Sequence, residues 1–376
     1  MAVYFQLGHQ SDNLIEEENL RRFKGAIISP VNYSPQNTLK ILERKIPRDD
    51  FKYIFDPQLY YPRSRINNLV SWDYFPSEFE TANNSDLAWW KNRLDKLTSG
   101  LNELNINNFC TPVSIPKIYS SNFYTDNNNI LKFTLDKYGS DFGILQTILL
   151  PLNLLSDEDF IGRTTSIITQ SECKHLYIIF INDLNPRREY KDTDELQGAM
   201  RIIRLLEENS FKTLVSYCST NVLLWKHSGA TDCATGKFFN LRNFTPSRWI
   251  SESDGGGGQL PYWVEESLLA YLRESDIPRA KKAELISQSS LYNPYYDVIM
   301  DSISNGNAWI KHSWCFYLYW FGEIENKLAT NNVSALDLLQ TADENWGHVE
   351  EGPIYFEERY NNGDWIRFWL RAITES

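Results

Sequence analysis

The sequence predicts a closed (β/α)₈ barrel of the α/β class with a C-terminal α-helical extension. Three observations predict it. Short β-rich apolar runs alternate with longer helix-like runs; the alternation repeats eight times within residues 1–275; from residue 276 to 376 only helix-like segments follow. Continuous apolar strands separated by helices belong to a parallel sheet covered on its outer face. Eight such units in that length favour a TIM-type barrel over the alternative, an open doubly wound sheet.

The elements follow in order. Val3–Leu7 reads as the first strand, with a Glu-rich helix-like segment near Ile15–Phe23. Ala26–Ser29 is the second, and Pro35 then opens a helix, as proline does in a first turn. Tyr53–Phe55 is the third, and Ser85 or Asp86 caps the helix that leads to Gly100. Phe109–Val113 is the fourth, followed by a helix near Asn129–Tyr138. Leu145–Leu150 and Leu176–Ile181 are the fifth and sixth, with Ser156 expected to cap the helix between them. The helix Asp192–Asn209 and the strand Thr213–Tyr217 form the next unit. A short helix, Asn221–Ser228, precedes an eighth strand at Phe238–Leu241 and a last barrel helix at Tyr262–Arg273. Beyond it, Arg279–Ser287, Tyr295–Ser304, Trp309–Leu328, Ala335–Thr341 and Tyr355–Ile373 read as helices. In the third of these, Trp309, Phe316, Trp320 and Phe321 recur at helical spacing, which suits a face packed on the barrel or a face that docks a protein partner.

Composition narrows the function classes. With 42% hydrophobic and 14% aromatic residues the chain can bury a large core and is not disordered. A net charge of −12 excludes a generally basic nucleic-acid-gripping surface, so any phosphate contact requires a local basic cluster. The five cysteines are odd in number and widely spaced, which predicts free thiols in a reducing, cytoplasmic setting. The first eight residues carry no basic start, so no signal peptide is expected. The longest apolar stretch, Trp314–Phe321, is too short to span a bilayer. Cys218, His227 and Cys233 lack zinc-ligand spacing, and no metal or cofactor motif is present.

In such a barrel the functional groups gather where strands end. Asp56, Gln58, Tyr60, Arg63 and Arg65 follow the third strand. Asn182, Asp183, Arg187 and Arg188 follow the sixth, and Tyr217 ends the seventh. Lys237, Asn240, Arg242 and Arg248 surround the eighth. Asp56 and Asp183 are the acid/base or nucleophile candidates, since apolar strands would raise a carboxyl pKa and arginines would lower it. The arginines would converge on phosphate. Gly255, Gly256, Gly257, Gly258 and Gln259 precede an expected helix start in the place where many such barrels bind phosphate.

Two stretches carry a resemblance: Ile54-Phe55-Asp56-Pro57-Gln58-Leu59-Tyr60-Tyr61-Pro62, and Ala234 through Phe244 continuing into the glycine run. Together they resemble a group of prokaryotic barrel proteins, some of them encoded beside phage-defence or DNA-modification genes. At the level of fold the chain also looks like barrels of the tRNA-guanine transglycosylase type, which use carboxylates in the barrel mouth to exchange a base. It departs from that class in lacking the cysteine-rich zinc site.

The expectation is an enzyme acting on a phosphate-bearing small molecule or a nucleic acid. The catalytic pair would be Asp56 and Asp183. Gln58, Tyr60, Arg63, Arg65, Asn182, Arg187, Tyr217, Lys237, Asn240, Arg242 and the 255–259 run would bind substrate. The alternatives are a scaffold subunit of a defence complex that docks through the helical tail, and a glycoside hydrolase built on paired carboxylates.

Overall fold

The computed structural model describes residues 2–44, 50–250, 259–358 and 362–375. Eight parallel strands close on themselves: β1 Val3–Gln6, β2 Phe23–Ile28, β3 Lys52–Phe55, β4 Asn108–Cys110, β5 Gly143–Pro151, β6 His175–Ile181, β7 Lys212–Val215 and β8 Asp232–Thr235. Closure comes from β1, which pairs with β2 on one side (Phe5 opposite Ala26) and with β8 on the other (Phe5 opposite Thr235). Helices α1 Pro35–Leu42, α2 Leu87–Glu103, α3 Ser121–Tyr138, α4 Glu158–Ile168, α5 Thr193–Glu208 and α6 Val222–His227 connect successive strands.

The helix starts are set by side chains that accept otherwise unpaired amides. Ser34 accepts from Asn37 N with Pro35 in the first turn, Asp86 accepts from Ala88 N and Trp89 N, and Asp192 accepts from Glu195 N. Each such cap contributes roughly 0.5–2 kcal/mol. The helix before β6 is capped by Asp157 rather than Ser156. In α5, Gly198 lets the helix approach the chain after β5, because a Cβ there would lie 1.6 Å from Leu155 O. Gly198→Ala is therefore expected to destabilise the protein by about 3 kcal/mol or more, read as a lower midpoint in urea; an unchanged midpoint would show that α5 can shift freely.

Several expected elements differ: within Tyr355–Ile373 the helix begins only at Ile366, and within Arg279–Ser287 it ends at Lys282. In place of a helix near Ile15–Phe23 there are short 3₁₀ turns at Asp12–Leu14 and Glu18–Leu20, and Phe23 already opens β2. The eighth strand is Asp232–Thr235, and Phe239–Leu241 is a 3₁₀ turn. The segment 262–273 is an antiparallel hairpin, β9 Trp263–Glu265 and β10 Ala270–Leu272. A buried carboxylate holds it: Glu265 accepts from Trp263 Nε1 and from the amides of Ser267 and Ser287. Those bonds fix the turn that a helix would need to straighten, with Leu269 at a φ of +49°.

Helices α7 Ser247–Ile250, α8 Ile277–Lys282, α9 Gln288–Leu291, α10 Tyr296–Ser304, α11 Ile310–Ala329, α12 Ala335–Glu351 and α13 Ile366–Thr374 complete the chain. The aromatic face of α11 is packed inward: Phe316, Tyr317, Trp320 and Phe321 are buried, and Tyr317 Oη meets Thr235 Oγ1 of β8 at 2.7 Å. A buried ion pair, Lys226 Nζ to Glu325 at 2.9 Å, ties α6 to α11. On another side, Trp369 of α13 donates to Tyr190 O at 2.7 Å. One continuous cluster of buried side chains runs from Val3 to Ile373, so the tail completes the barrel's outer core. The aromatics that suggested a docking face are interior. Among the described residues, no helix is long and apolar enough to cross a membrane.

Candidate active site

Asp56 is the first residue beyond β3, and its amide continues the ladder by donating to Ile28 O. Its side chain points into the C-terminal mouth of the barrel and is 2% exposed. The Tyr60 hydroxyl donates to both carboxylate oxygens, at 2.9 and 2.8 Å. The Tyr177 hydroxyl, from β6, reaches Oδ2 at 3.3 Å, and Gln58 N donates to Oδ1 at 3.1 Å. Burial disfavours the charged form and pushes the Asp56 carboxyl up to about 6, with these hydrogen bonds holding it from rising further.

Two neighbours hold left-handed backbone, Gln58 at φ 53° and Tyr217 at φ 56°. Non-glycine residues in that region cost of order 1–3 kcal/mol and persist where surroundings fasten them. Here the fasteners are visible. Gln58 Oε1 accepts from Ser29 Oγ and Val31 N, and Tyr217 N donates to Gln6 Oε1 at 2.8 Å. Tyr217 is buried, and its hydroxyl has no hydrogen bond of good geometry among the described residues, although it lies near the Gln58 side chain and Asp56.

The chain after β8 folds back over this cluster. Phe244 pairs with the end of β6, its carbonyl accepting from Asn182 N at 3.3 Å. Phe244 and Trp249 stack at an interplanar angle of 23° and set their rings against Tyr60, while Phe244 also meets Tyr217. Arg248 reaches into the same space. It faces Tyr217, Asp56, Tyr60 and Tyr177, and burial lowers its guanidinium pKa from the ordinary value. Its one hydrogen bond among the described residues goes to Asn240 O, and it forms no ion pair there.

A second carboxyl lies beside this chamber. Glu189, in the loop after β6, is buried and accepts from Ser219 Oγ at 3.3 Å. Burial pushes it up to about 7, against the pull of Thr220, Ser219 and the nearby Arg242. Glu189, Tyr217, Arg242, Asn182, Asn243 and Ser216 are among the walls of a cavity of about 20 Å³, room for roughly one water. Arg242 is held by the carbonyls of Gly236 and Lys237, and its guanidinium lies 3.3 Å from the ring centre of Tyr317.

The structure gathers Asp56, Gln58, Tyr60 and Tyr217 in the mouth, with Asn182 and Arg242 at the adjoining cavity. The other expected residues are elsewhere or otherwise occupied. Asp183 is exposed and faces Tyr61 and Tyr119 rather than Asp56. Arg63 is exposed and bonded to Phe79 O and Thr81 Oγ1, and Arg65 is exposed. Arg187 donates to Tyr262 Oη. Lys237 is buried against Trp314 with Nζ on Gln10 O; burial lowers its pKa to about 8. Asn240 is exposed and offers its carbonyl to Arg248. Gln259 is partly buried, and Gly255, Gly256, Gly257 and Gly258 lie outside the described residues. The expected ring of guanidinium groups around one anion is therefore not formed by these residues: Arg63, Arg187 and Arg242 are each taken up by a different local partner, and Arg65 is exposed. Glu189 was not among the expected site residues, and Arg248 was expected only as one of the rim cations around the eighth strand. Arg248 was visible as a rim charge, whereas Glu189 was hidden beside two arginines as an ordinary solvated loop acid.

Among the described residues, no three His, Cys, Asp or Glu side chains are grouped to hold a metal, and the five cysteines are buried and unbridged. The site's own groups can hold and move a proton at Asp56, donate hydrogen bonds from tyrosine hydroxyls and pair an anion with Arg248.

No family model matches the chain, and no curated protein matches it. Solved structures similar to it include a putative copper homeostasis protein CutC from Streptococcus agalactiae, at 8% identity and TM-score 0.36, covering 63% of this chain and 98% of that one. Dihydrodipicolinate synthase from Bacillus clausii matches at 7% identity and TM-score 0.37, covering 100% and 95%. An O-GlcNAc hydrolase mutant from Thermobaculum terrenum matches at 12% identity and TM-score 0.38, covering 99% and 93%. Likeness at this level says nothing about the reaction.

Proposed function

We propose that the chain is an enzyme that cleaves or exchanges a glycosidic bond in a phosphate-bearing substrate of the nucleotide or nucleic-acid class, with Asp56 as its acid/base group. One observation carries the reading: a buried carboxyl at a strand end, held by tyrosine hydroxyls from β6 and from the loop after β3, whose pKa is about 6. A group with that proton affinity near neutral pH both takes and returns a proton readily. A carboxyl buried only for packing would be replaceable by an apolar residue, and strained backbone would not be fastened on two sides of it. Arg248 supports the anionic part of the substrate, since beside its bond to Asn240 O and its place over the Trp249 ring it has no carboxylate partner among the described residues. A place in anti-phage defence is part of the same proposal and rests on the resemblance of residues 54–62 and 234–244. The scaffold reading loses its motive, because the aromatic face of α11 is interior.

The test is direct. The full chain is incubated with nucleoside 5′-monophosphates and with single- and double-stranded oligonucleotides, and free base is followed by chromatography. Release from at least one of them is expected; none from any overturns the proposal.

A further inference from the structure

We infer that the Tyr217 hydroxyl is the mouth's hydrogen-bond donor to an acceptor atom of the substrate, and that Gln6 is the residue that positions it. The inference rests on the reading above, in which the substrate enters the mouth over Asp56.

Tyr217 is 3% exposed, and its hydroxyl has no partner of good geometry among the described residues. The other described tyrosines that are no more than 3% exposed all have one: Tyr60 and Tyr177 on Asp56, Tyr74 on Pro57 O, Tyr124 on Leu149 O, Tyr271 on Ser219 Oγ and Tyr317 on Thr235 Oγ1. The nearby Gln58 side chain does not take the Tyr217 proton. Its Oε1 already accepts from Ser29 Oγ and Val31 N, which leaves the donating edge of the amide for Tyr217. A buried donor left without an acceptor lowers stability and calls for another reason to be there.

The backbone of Tyr217 is held against its preference as well. A φ of 56° is one that a tyrosine seldom adopts. Gln6, the last residue of β1, fastens it: the Gln6 side chain is buried inside the barrel, and its Oε1 accepts from Tyr217 N at 2.8 Å. With the oxygen turned to that amide, Gln6 Nε2 faces Tyr177 Oη at 3.5 Å, and that hydroxyl in turn reaches Asp56 Oδ2 at 3.3 Å. One side chain thus links Tyr217 to a tyrosine that binds the acid/base group. The Tyr217 ring lies against Phe244, with 5.0 Å between centres, and Asp56 and Arg248 face it. A substrate that displaces the Phe244 and Trp249 rings meets the free hydroxyl beside Asp56.

The chemistry suits a donor. Burial pushes the phenol far above its ordinary pKa, so it keeps its proton. A substrate oxygen or ring nitrogen that accepts that proton displaces no protein bond, so the new bond counts toward binding. An analogue without the acceptor would leave the hydroxyl unpaired and be rejected.

The test uses the full chain, nucleoside 5′-monophosphates and oligonucleotides as substrates, and urea unfolding. Tyr217→Phe removes only the hydroxyl. It is expected to lower kcat/KM by about 3–10-fold, with a urea midpoint equal to or above that of the wild type, because no protein bond is lost. Tyr74→Phe, which loses its bond to Pro57 O, is the control and is expected to lower the midpoint. Gln6→Met removes the fastener, so adding Tyr217→Phe to it should bring no further loss of activity. Gln6→Glu keeps an oxygen for the Tyr217 amide and should retain the full Tyr217→Phe penalty. Wild-type kcat/KM in Tyr217→Phe, or a lowered midpoint, overturns the substrate contact and assigns the hydroxyl to packing or to a bound water. Losses that multiply in Gln6→Met, or a penalty that vanishes in Gln6→Glu, overturn the positioning role of Gln6. A wild type inactive on every substrate overturns the underlying reading and this inference with it.

Discussion

Asp56→Asn is expected to abolish turnover and at the same time make the protein more stable at pH 8. The activity loss follows from removing the proton acceptor, worth about 10²–10⁴-fold. The stability gain follows from linkage. The folded chain raises the Asp56 pKa from 3.8 to about 6, so it binds that proton more tightly than the unfolded chain. The resulting stabilisation is complete below 3.8 and is lost as pH rises through about 6. Above that, the buried charge opposes folding by about 3 kcal/mol, taking ~1.4 kcal/mol per pH unit. Asparagine keeps an oxygen for Tyr60 and carries no charge. Urea unfolding at pH 8 should therefore show the variant up to about 3 kcal/mol more stable, with the gap closing at pH 3. A less stable variant at pH 8 would mean that the ionised carboxylate is well accommodated and that its perturbed acidity is not a feature of the site.

The second large effect concerns the tail. A chain ending at Ile277 is expected to be insoluble or unfolded. It loses α11, whose Phe316, Leu318, Phe321 and Ile324 are fully buried, together with the hydroxyl contact to β8 and the partner of Lys226. Each large apolar side chain contributes roughly 1.5–3 kcal/mol when buried, and a domain's whole margin is about 5–15 kcal/mol. Recovery of a soluble 1–277 fragment with cooperative thermal unfolding by circular dichroism would refute the view that the tail is part of the barrel's core.

The barrel was legible in sequence where a strand is wholly apolar. In Leu176–Ile181 all six residues are buried, and the helices on either side start at Asp157 and Asp192, the first cap lying one residue beyond the expected Ser156. β8 was not legible. Asp232 and Thr235 are polar because one binds the amide of Ala2 and the other the hydroxyl of Tyr317, contacts from distant parts of the chain. The apolar run that looked like β8, Phe238–Leu241, instead buries its rings against the hairpin, with Phe239 on Tyr262 and Tyr271. The site divides the same way. Asp56 and Tyr60 were found because a strand end fixes their place. Asp183 follows an equally good strand but is turned outward, with the Asn182 side chain accepting Leu184 N at 3.0 Å in a local turn. Loop geometry of that kind is decided by side-chain bonds that spacing does not reveal.

The rings stacked above Asp56 have a kinetic consequence. As long as Phe244 and Trp249 stay in place, the carboxyl is dry and grips its proton; once they swing away, water reaches it and the grip loosens toward that of an ordinary aspartate. A ligand that came beneath those rings would therefore change the proton affinity of Asp56 as it entered.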